Sequence, residues 1–377
     1  MYHKLVLPTL AALSLGVQAE TDSLTREELE KALDQQAKKI AELEEKVNLA
    51  VEAVEAAPAA ATHTNIGGYG ELHYNNFGTD EDIDFHRFVL FISHQFSDNL
   101  RFFSELEIEH SYAGESKPGA VELEQAYIEY DINASTTLKG GLFLVPVGIL
   151  NETHEPDTFY GVERNPIEKN IIPTTWWEAG AAVTYRFADG FSLDFASHSG
   201  LSVDPADFNI RSGRQKVAKA DADSFAYTTR LKYTGIPGLE IAGSLQHQDD
   251  ITQGAADASA RLIEIHTAYS NGPFAIRALW AQWDIDSELA DILGKDQQNG
   301  YFVEPAYRLN EEFGFFARYS VWDNTAGSAN TIDTEMRQVN VGVNYWLHPN
   351  VVIKFDTENR LGAQDGSGYN VGIGYQF

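Results

Sequence analysis

The last eleven residues, Ser367 to Phe377, constrain the fold more than any other stretch of the chain. Every second residue from Tyr369 gives one apolar row: Tyr369, Val371, Ile373, Tyr375 and the terminal Phe377. The intervening row, Asn370, Gly372, Gly374 and Gln376, is small or polar. A period of two describes a strand whose two faces meet different surroundings. An aromatic carboxy-terminal residue suits a membrane barrel, whose outer row meets lipid and whose inner row meets water. A surface strand of a soluble β-sandwich is the competing reading, and the remainder of the chain weighs against it.

Strand-like segments recur from Ile66 to the end, near 66–76, 83–97, 100–112, 121–132, 135–145, 176–187, 190–199, 224–234, 239–248, 260–270, 273–284, 300–308, 312–322, 335–346, 350–358 and 368–377. Tight turns such as Ser97-Asp98-Asn99, Ala188-Asp189-Gly190, Asn271-Gly272 and Leu347-His348-Pro349-Asn350 carry the expected turn residues. Between them lie long polar connections, such as 200–223 and 285–299. Short and long connections alternate, as they do when one rim faces the periplasm and the other faces outside. The pattern predicts an all-β fold: a transmembrane antiparallel β-barrel of about sixteen strands over 66–377, preceded by a short N-terminal α-helical coiled coil.

The amino-terminal part divides into three. Residues 1–19 read as a signal peptide, with a polar start at His3 and Lys4, an apolar run from Leu5 to Val17, and small residues at Val17-Gln18-Ala19. Residues 20–57 read as a periplasmic coiled coil. Thr25 and Glu28 form a capping box, and Leu33, Ile40, Val47 and Val54 recur every seven residues. Pro58 ends the helix, and 58–65 is a linker. No run of eighteen apolar residues follows, so a chain that spans a membrane does so as a closed barrel.

Composition excludes several classes. A formal charge of −29 argues against nucleic acid as a partner. The chain has no cysteine, and its 12% aromatic content fits strands and interfacial girdles. No serine sits in a Gly-x-Ser-x-Gly setting and no His-Glu-x-x-His helix is present, so no catalytic residue, metal ligand or cofactor is assigned. His154-Glu155-Pro156-Asp157 is read as a structural loop. Arg211, Arg214, Lys216 and Lys219 form a basic cluster in an exterior loop, suited either to anions or to water.

The longest connection, 146–175, is too long for a hairpin and rich in proline, aromatic and apolar residues. Its runs Asn151-Glu152-Thr153-His154-Glu155-Pro156-Asp157-Thr158-Phe159-Tyr160 and Gly161-Val162-Glu163-Arg164-Asn165-Pro166 look like a constriction loop. With Ile171-Ile172-Pro173-Thr174-Thr175-Trp176-Trp177-Glu178 and the closing strand, they resemble the phosphate-selective porins (porins O and P and their relatives). The resemblance covers about 66–377. It implies a trimeric outer-membrane channel of sixteen strands, in contact with outer-membrane lipid and lipopolysaccharide. It also implies delivery by the outer-membrane assembly machinery, which reads the C-terminal strand.

Strand phase places the basic candidates Arg230, Lys232, Arg277, Arg318 and Lys354 in the lumen, and the acidic candidates Glu105, Glu107 and Glu109 on another wall. The long loop adds Glu152, Glu155, Asp157 and Glu163. Opposed charges across a narrow section would set a transverse field that biases ion passage. The expected function is a passive diffusion channel for small hydrophilic solutes or ions. The alternatives are an outer-membrane tether and, further off, a barrel enzyme.

Overall fold

In a computed structural model of the protein, the described residues are 38–39 and 63–377, apart from 79, 115–117 and 364. The signal peptide, the heptads and most of the linker lie outside them.

Sixteen antiparallel strands close into one barrel. They are β1 (His63–Asn76), β2 (Glu81–Ser97), β3 (Leu100–Glu109), β4 (Val121–Asn133), β5 (Thr136–Leu144), β6 (Trp177–Ala188), β7 (Phe191–His198) and β8 (Ala226–Tyr233). The second half comprises β9 (Leu239–Gln248), β10 (Ser259–Asn271), β11 (Phe274–Asp286), β12 (Gln297–Arg308), β13 (Phe313–Asp323), β14 (Met336–His348), β15 (Val351–Gly362) and β16 (Gly366–Gln376). Two short helices, α1 (Ile167–Asn170) and α2 (Glu288–Leu293), lie in connections. Each strand pairs with its neighbour in sequence, and β16 returns to β1 with Tyr69 opposite Gln376 and Asn76 opposite Tyr369. The terminal residue completes the seam, since Phe377 and Gly68 exchange both backbone hydrogen bonds at 2.9 and 3.0 Å. Closure leaves no free sheet edge, which is the condition for crossing a bilayer with strands.

Alternation sorts the side chains as period two requires. Tyr227 and Leu231 on β8 face outward, while Thr228 and Arg230 are buried inward. On β2, whose sequence is apolar on both faces, Arg87 and Val89 point inward and Ile92 and Phe96 are exposed. Aromatics crowd the outer surface beside the tight turns. Phe187 stacks toward Phe191, Phe191 toward Tyr233, Phe274 toward Tyr307 and Phe313 toward Tyr345, with ring centroids 4.5–5.7 Å apart. Such a belt marks the level of the lipid headgroups at one rim. At the opposite rim the long connections gather, although two of them, 77–80 and 363–365, are short. Alternation of loop length therefore fails at the β1–β2 and β15–β16 hairpins.

The apolar core lies inside the barrel, toward the long-loop rim. Val145, Ile149, Ile171, Ile172 and Trp176 of the 145–176 connection pack with Leu201, Phe208 and Ile251 of neighbouring loops. The barrel wall contributes Leu262, Leu279, Trp283 and Phe302. A sixteen-stranded barrel is too wide for wall side chains alone to fill. Here the loops supply the filling.

Candidate functional site

The 145–176 loop holds its own shape. Asn151 ties the two ends together: its amide donates to the carbonyls of Val145 at 2.7 Å and Trp176 at 2.9 Å, and its oxygen accepts the Trp176 N–H at 2.7 Å. Glu168, fully buried on α1, accepts the N–H groups of Ile149 and Leu150, both at 2.6 Å, and the Asn165 amide at 2.7 Å. Burial pushes its carboxyl above the usual range, against these donors.

Between those ties the loop crosses the lumen and meets strands all round the barrel. Three successive carbonyls are caught by the wall: Thr158 by Arg277 at 2.6 Å, Phe159 by the Asn344 amide at 3.2 Å, and Tyr160 by Arg318 at 2.6 Å. The Val162 N–H donates to Asp356 at 2.8 Å. On β1, His73 meets the Glu163 carboxylate at 3.0 Å. Glu152 reaches the far side of the barrel and pairs with Arg230, which also binds Asp194 at 2.8 Å. Pro156 and Val162 lie over Gly374 and Gly372 of β16. The small inner row of the closing strand is thus the seat of the loop.

The basic wall is largely engaged. Arg318 pairs with Glu304 at 2.6 Å, and the Lys354 ammonium sits 3.6 Å over the Phe159 ring. Lys232 approaches Glu240 at 3.9 Å. The sequence suggests opposed charges separated by an open section, but Glu152 and Arg230 are in direct contact. Burial alone would raise the Glu152 carboxyl, but Arg230 holds it below the ordinary range. His73 does the same, more strongly, for Glu163. Asp157 is raised by burial, and it accepts a hydrogen bond from Gln376. Glu155 contributes its carbonyl, which accepts the Thr158 N–H at 3.0 Å.

Glu105 and Glu107 lie under the loop with 1% exposure each, rather than on an open surface. Arg87 binds Glu71 at 2.7 Å and approaches Glu107 at 3.8 Å. His154 points between Glu105 and Glu124. Burial works against its charge, but those carboxylates outweigh it and raise the imidazole to about 9. The sequence reading places His154 in a structural loop and does not single out Arg87 or Glu124, because their partners come from three separate segments.

The basic exterior cluster is not simply solvated. Arg211 donates to the Thr174 carbonyl at 2.6 Å, Arg214 donates to that of Thr175, and Lys216 pairs with Glu122. The 199–225 connection thereby closes over the end of the inward loop.

Between the loop and the tight-turn rim lies a cavity of about 580 Å³. Lys139, Arg186, Arg230 and Lys232 line it together with Glu129, Glu152, Asp189 and Asp194, four groups of each sign. Lys139, Arg186 and Asp194 also escape a reading that starts from single strands, since the side-by-side pairing of β5, β6, β7 and β8 is what brings them to one wall.

Residues 179–359 match the family model described as Gram-negative porin. A protein of Aquifex aeolicus, described as uncharacterized, is 30% identical over 353 residues, covering 83% of this chain and 80% of its own length. Among solved structures, the anion-selective porin from Comamonas acidovorans is similar, with a TM-score of 0.61 at 12% identity over 84% of this chain and 100% of that one. The trimer form of OmpT, an outer membrane protein of Vibrio cholerae, has a TM-score of 0.58 at 12% identity, with the same shares covered. At such identity these structures speak for the fold.

Proposed function

The chain belongs to the Gram-negative porin family and is an outer-membrane channel, and we propose on that premise that it is a passive diffusion pore for small hydrophilic solutes and ions, without enzymatic activity. The observation that carries this reading is the loop 145–176 stretched across the lumen and held at Thr158, Phe159 and Tyr160 by three wall residues. A structured loop at that level narrows the passage, while the charged cavity below it stays wet.

Four cationic and four anionic groups line that cavity, so the pore is weakly selective. The pore-lining residues are Lys139, Arg186, Arg230 and Lys232 with Glu129, Glu152, Asp189 and Asp194. Arg277, Arg318, Lys354, Asp157 and Glu163 set the position of the constriction. The phosphate-selective subtype lacks specific support, because the basic side chains at the loop are already bound to carbonyls, a carboxylate and a ring.

The working form is a homotrimer, a reading supported by the trimer form of the similar Vibrio cholerae protein. Residues 1–19 are a signal peptide, 20–57 a periplasmic coiled coil, and 58–65 a linker. The outer-membrane assembly machinery inserts the barrel through the strand that ends at Phe377, among lipid and lipopolysaccharide. Liposome swelling tests the function. Vesicles carrying the protein should admit small neutral sugars and slow progressively with sugar size. Absence of swelling with a folded barrel would leave a tether as the better account.

A further inference from the structure

We propose that Glu105 on β3, Glu124 on β4 and His154 of the inward loop form a binding site for one divalent transition-metal ion of the zinc class, which staples the loop to the barrel wall. Their facing atoms lie within 4.8 Å of one another, and all three residues are buried. The His154 Nε2 stands 3.5 Å from Glu105 Oε1 and 3.6 Å from Glu124 Oε2. Those separations are too long for hydrogen bonds. They are close to the edge, about 3.3–3.4 Å, of a tetrahedron built on metal–ligand bonds of about 2.0–2.1 Å.

The atoms that face one another meet only across these long ion-pair separations and make no hydrogen bond. Glu105 Oε1, Glu124 Oε2 and both ring nitrogens of His154 make no hydrogen bond, although the side chains are only 1–4% exposed. Buried polar atoms are normally satisfied, so such a convergence marks a position for a ligand. The surroundings hold the set in place. Gln125 donates to the other oxygen of Glu105 at 2.7 Å, and the Tyr69 ring packs edge-on to the imidazole at 6.0 Å. Arg87 is occupied by Glu71 and Glu107. Once the ion displaces the imidazole proton, two carboxylates and a neutral imidazole balance its double charge, and the mixed nitrogen and oxygen set favours zinc over calcium or magnesium.

A second group, Asp84, His86 and His110, is half-buried, and its atoms are already paired: both imidazoles meet Asp84 Oδ2, at 3.0 and 2.8 Å. It serves as the internal control.

The test titrates Zn²⁺ into the chelator-treated, full-length protein folded in detergent, by calorimetry. One saturable site per chain is expected, with affinity rising with pH as protons are displaced. Glu124→Gln and His154→Gln should each weaken it by at least ~10-fold, whereas His110→Ala should not. Heat-modifiable mobility reports whether each variant is folded. Zn-edge X-ray absorption of the wild type decides without any variant: a light nitrogen and oxygen shell with one imidazole is expected. No saturable binding, two imidazoles per zinc, or binding lost in His110→Ala but intact in the other two would overturn the assignment.

Discussion

Arg318 on β13 donates to the Tyr160 carbonyl at 2.6 Å with the same guanidinium that pairs with Glu304 at 2.6 Å. One buried side chain thus joins two neighbouring strands to the loop that crosses the lumen. Removing it leaves Glu304, 3% exposed, without its ionic partner. Breaking a buried pair from one side costs ~3–5 kcal/mol. Arg318→Ala should therefore lower the midpoint of thermal unfolding and free the loop, and a heat-modifiability series would show the lowered midpoint. An unchanged midpoint would remove Arg318 from the account.

Glu168 organises the loop from within. Replacement by Ala strands the N–H groups of Ile149 and Leu150 in an apolar core, at ~1–3 kcal/mol for each donor. Glu168→Gln keeps one acceptor oxygen and should cost less. Limited proteolysis between 145 and 176 should follow the order Ala, Gln, wild type, from fastest to slowest.

The glycine row of β16 leads to a steric prediction. A Cβ at Gly374 would lie 2.3 Å from the Cβ of Pro156, inside a ring that cannot rotate away. Gly374→Ala should displace the loop at a cost of ~1–3 kcal/mol, typical of overpacking. The barrel itself should persist, since the lumen face and not the hydrogen-bonded ladder is altered. Circular dichroism with the strand signal retained and the unfolding midpoint lowered is the expected pair of results.

Much of this was legible in the sequence. All sixteen strands appear near their expected places, because a chain with lipid outside and a polar interior must alternate along every strand. The inward side of Arg230, Arg277, Arg318 and Lys354 follows from the same period. What alternation cannot show is which groups meet after closure. Arg230 and Glu152 lie 78 residues apart, and His73 and Glu163 lie 90 apart. The loop's path brings both pairs into contact, and for Arg230 and Glu152 strand phase suggested only opposition across a gap. Gly372 and Gly374 read as merely small, and their reason is the packing of Pro156 and Val162.

Selectivity should respond to Glu152. It neutralises Arg230 at the edge of the charge-balanced cavity, so Glu152→Gln leaves one extra positive charge there. The reversal potential across a salt gradient should move toward anions at low salt. At 1 M salt the Debye length is about 3 Å and the shift should largely vanish. A shift toward cations, or none at low salt, would remove Glu152 from the permeation path.

Acidification should release the loop late. The folded-state carboxyls of Glu152 and Glu163 are depressed by Arg230 and His73, so their contribution is present above the ordinary carboxyl range, about 4.3, and is lost as pH falls below it. Asp157 is raised by burial and protonates first, which favours rather than loosens the packed loop. Open-channel noise should stay level from neutral pH to about 5 and grow only below about 4. Growth already at pH 6 would point to another group.

The central claim is that the loop across the lumen sets the passage, and single-channel conductance in planar bilayers measures it most directly. The informative comparison is the wild type against Arg277→Ala combined with Asn344→Ala. That pair releases the Thr158 and Phe159 carbonyls and leaves the Arg318–Glu304 pair intact. The wild type should give steady, discrete steps, and the variant should give larger and noisier ones. Equal conductance in both, or no steps from folded wild-type protein, would contradict the account.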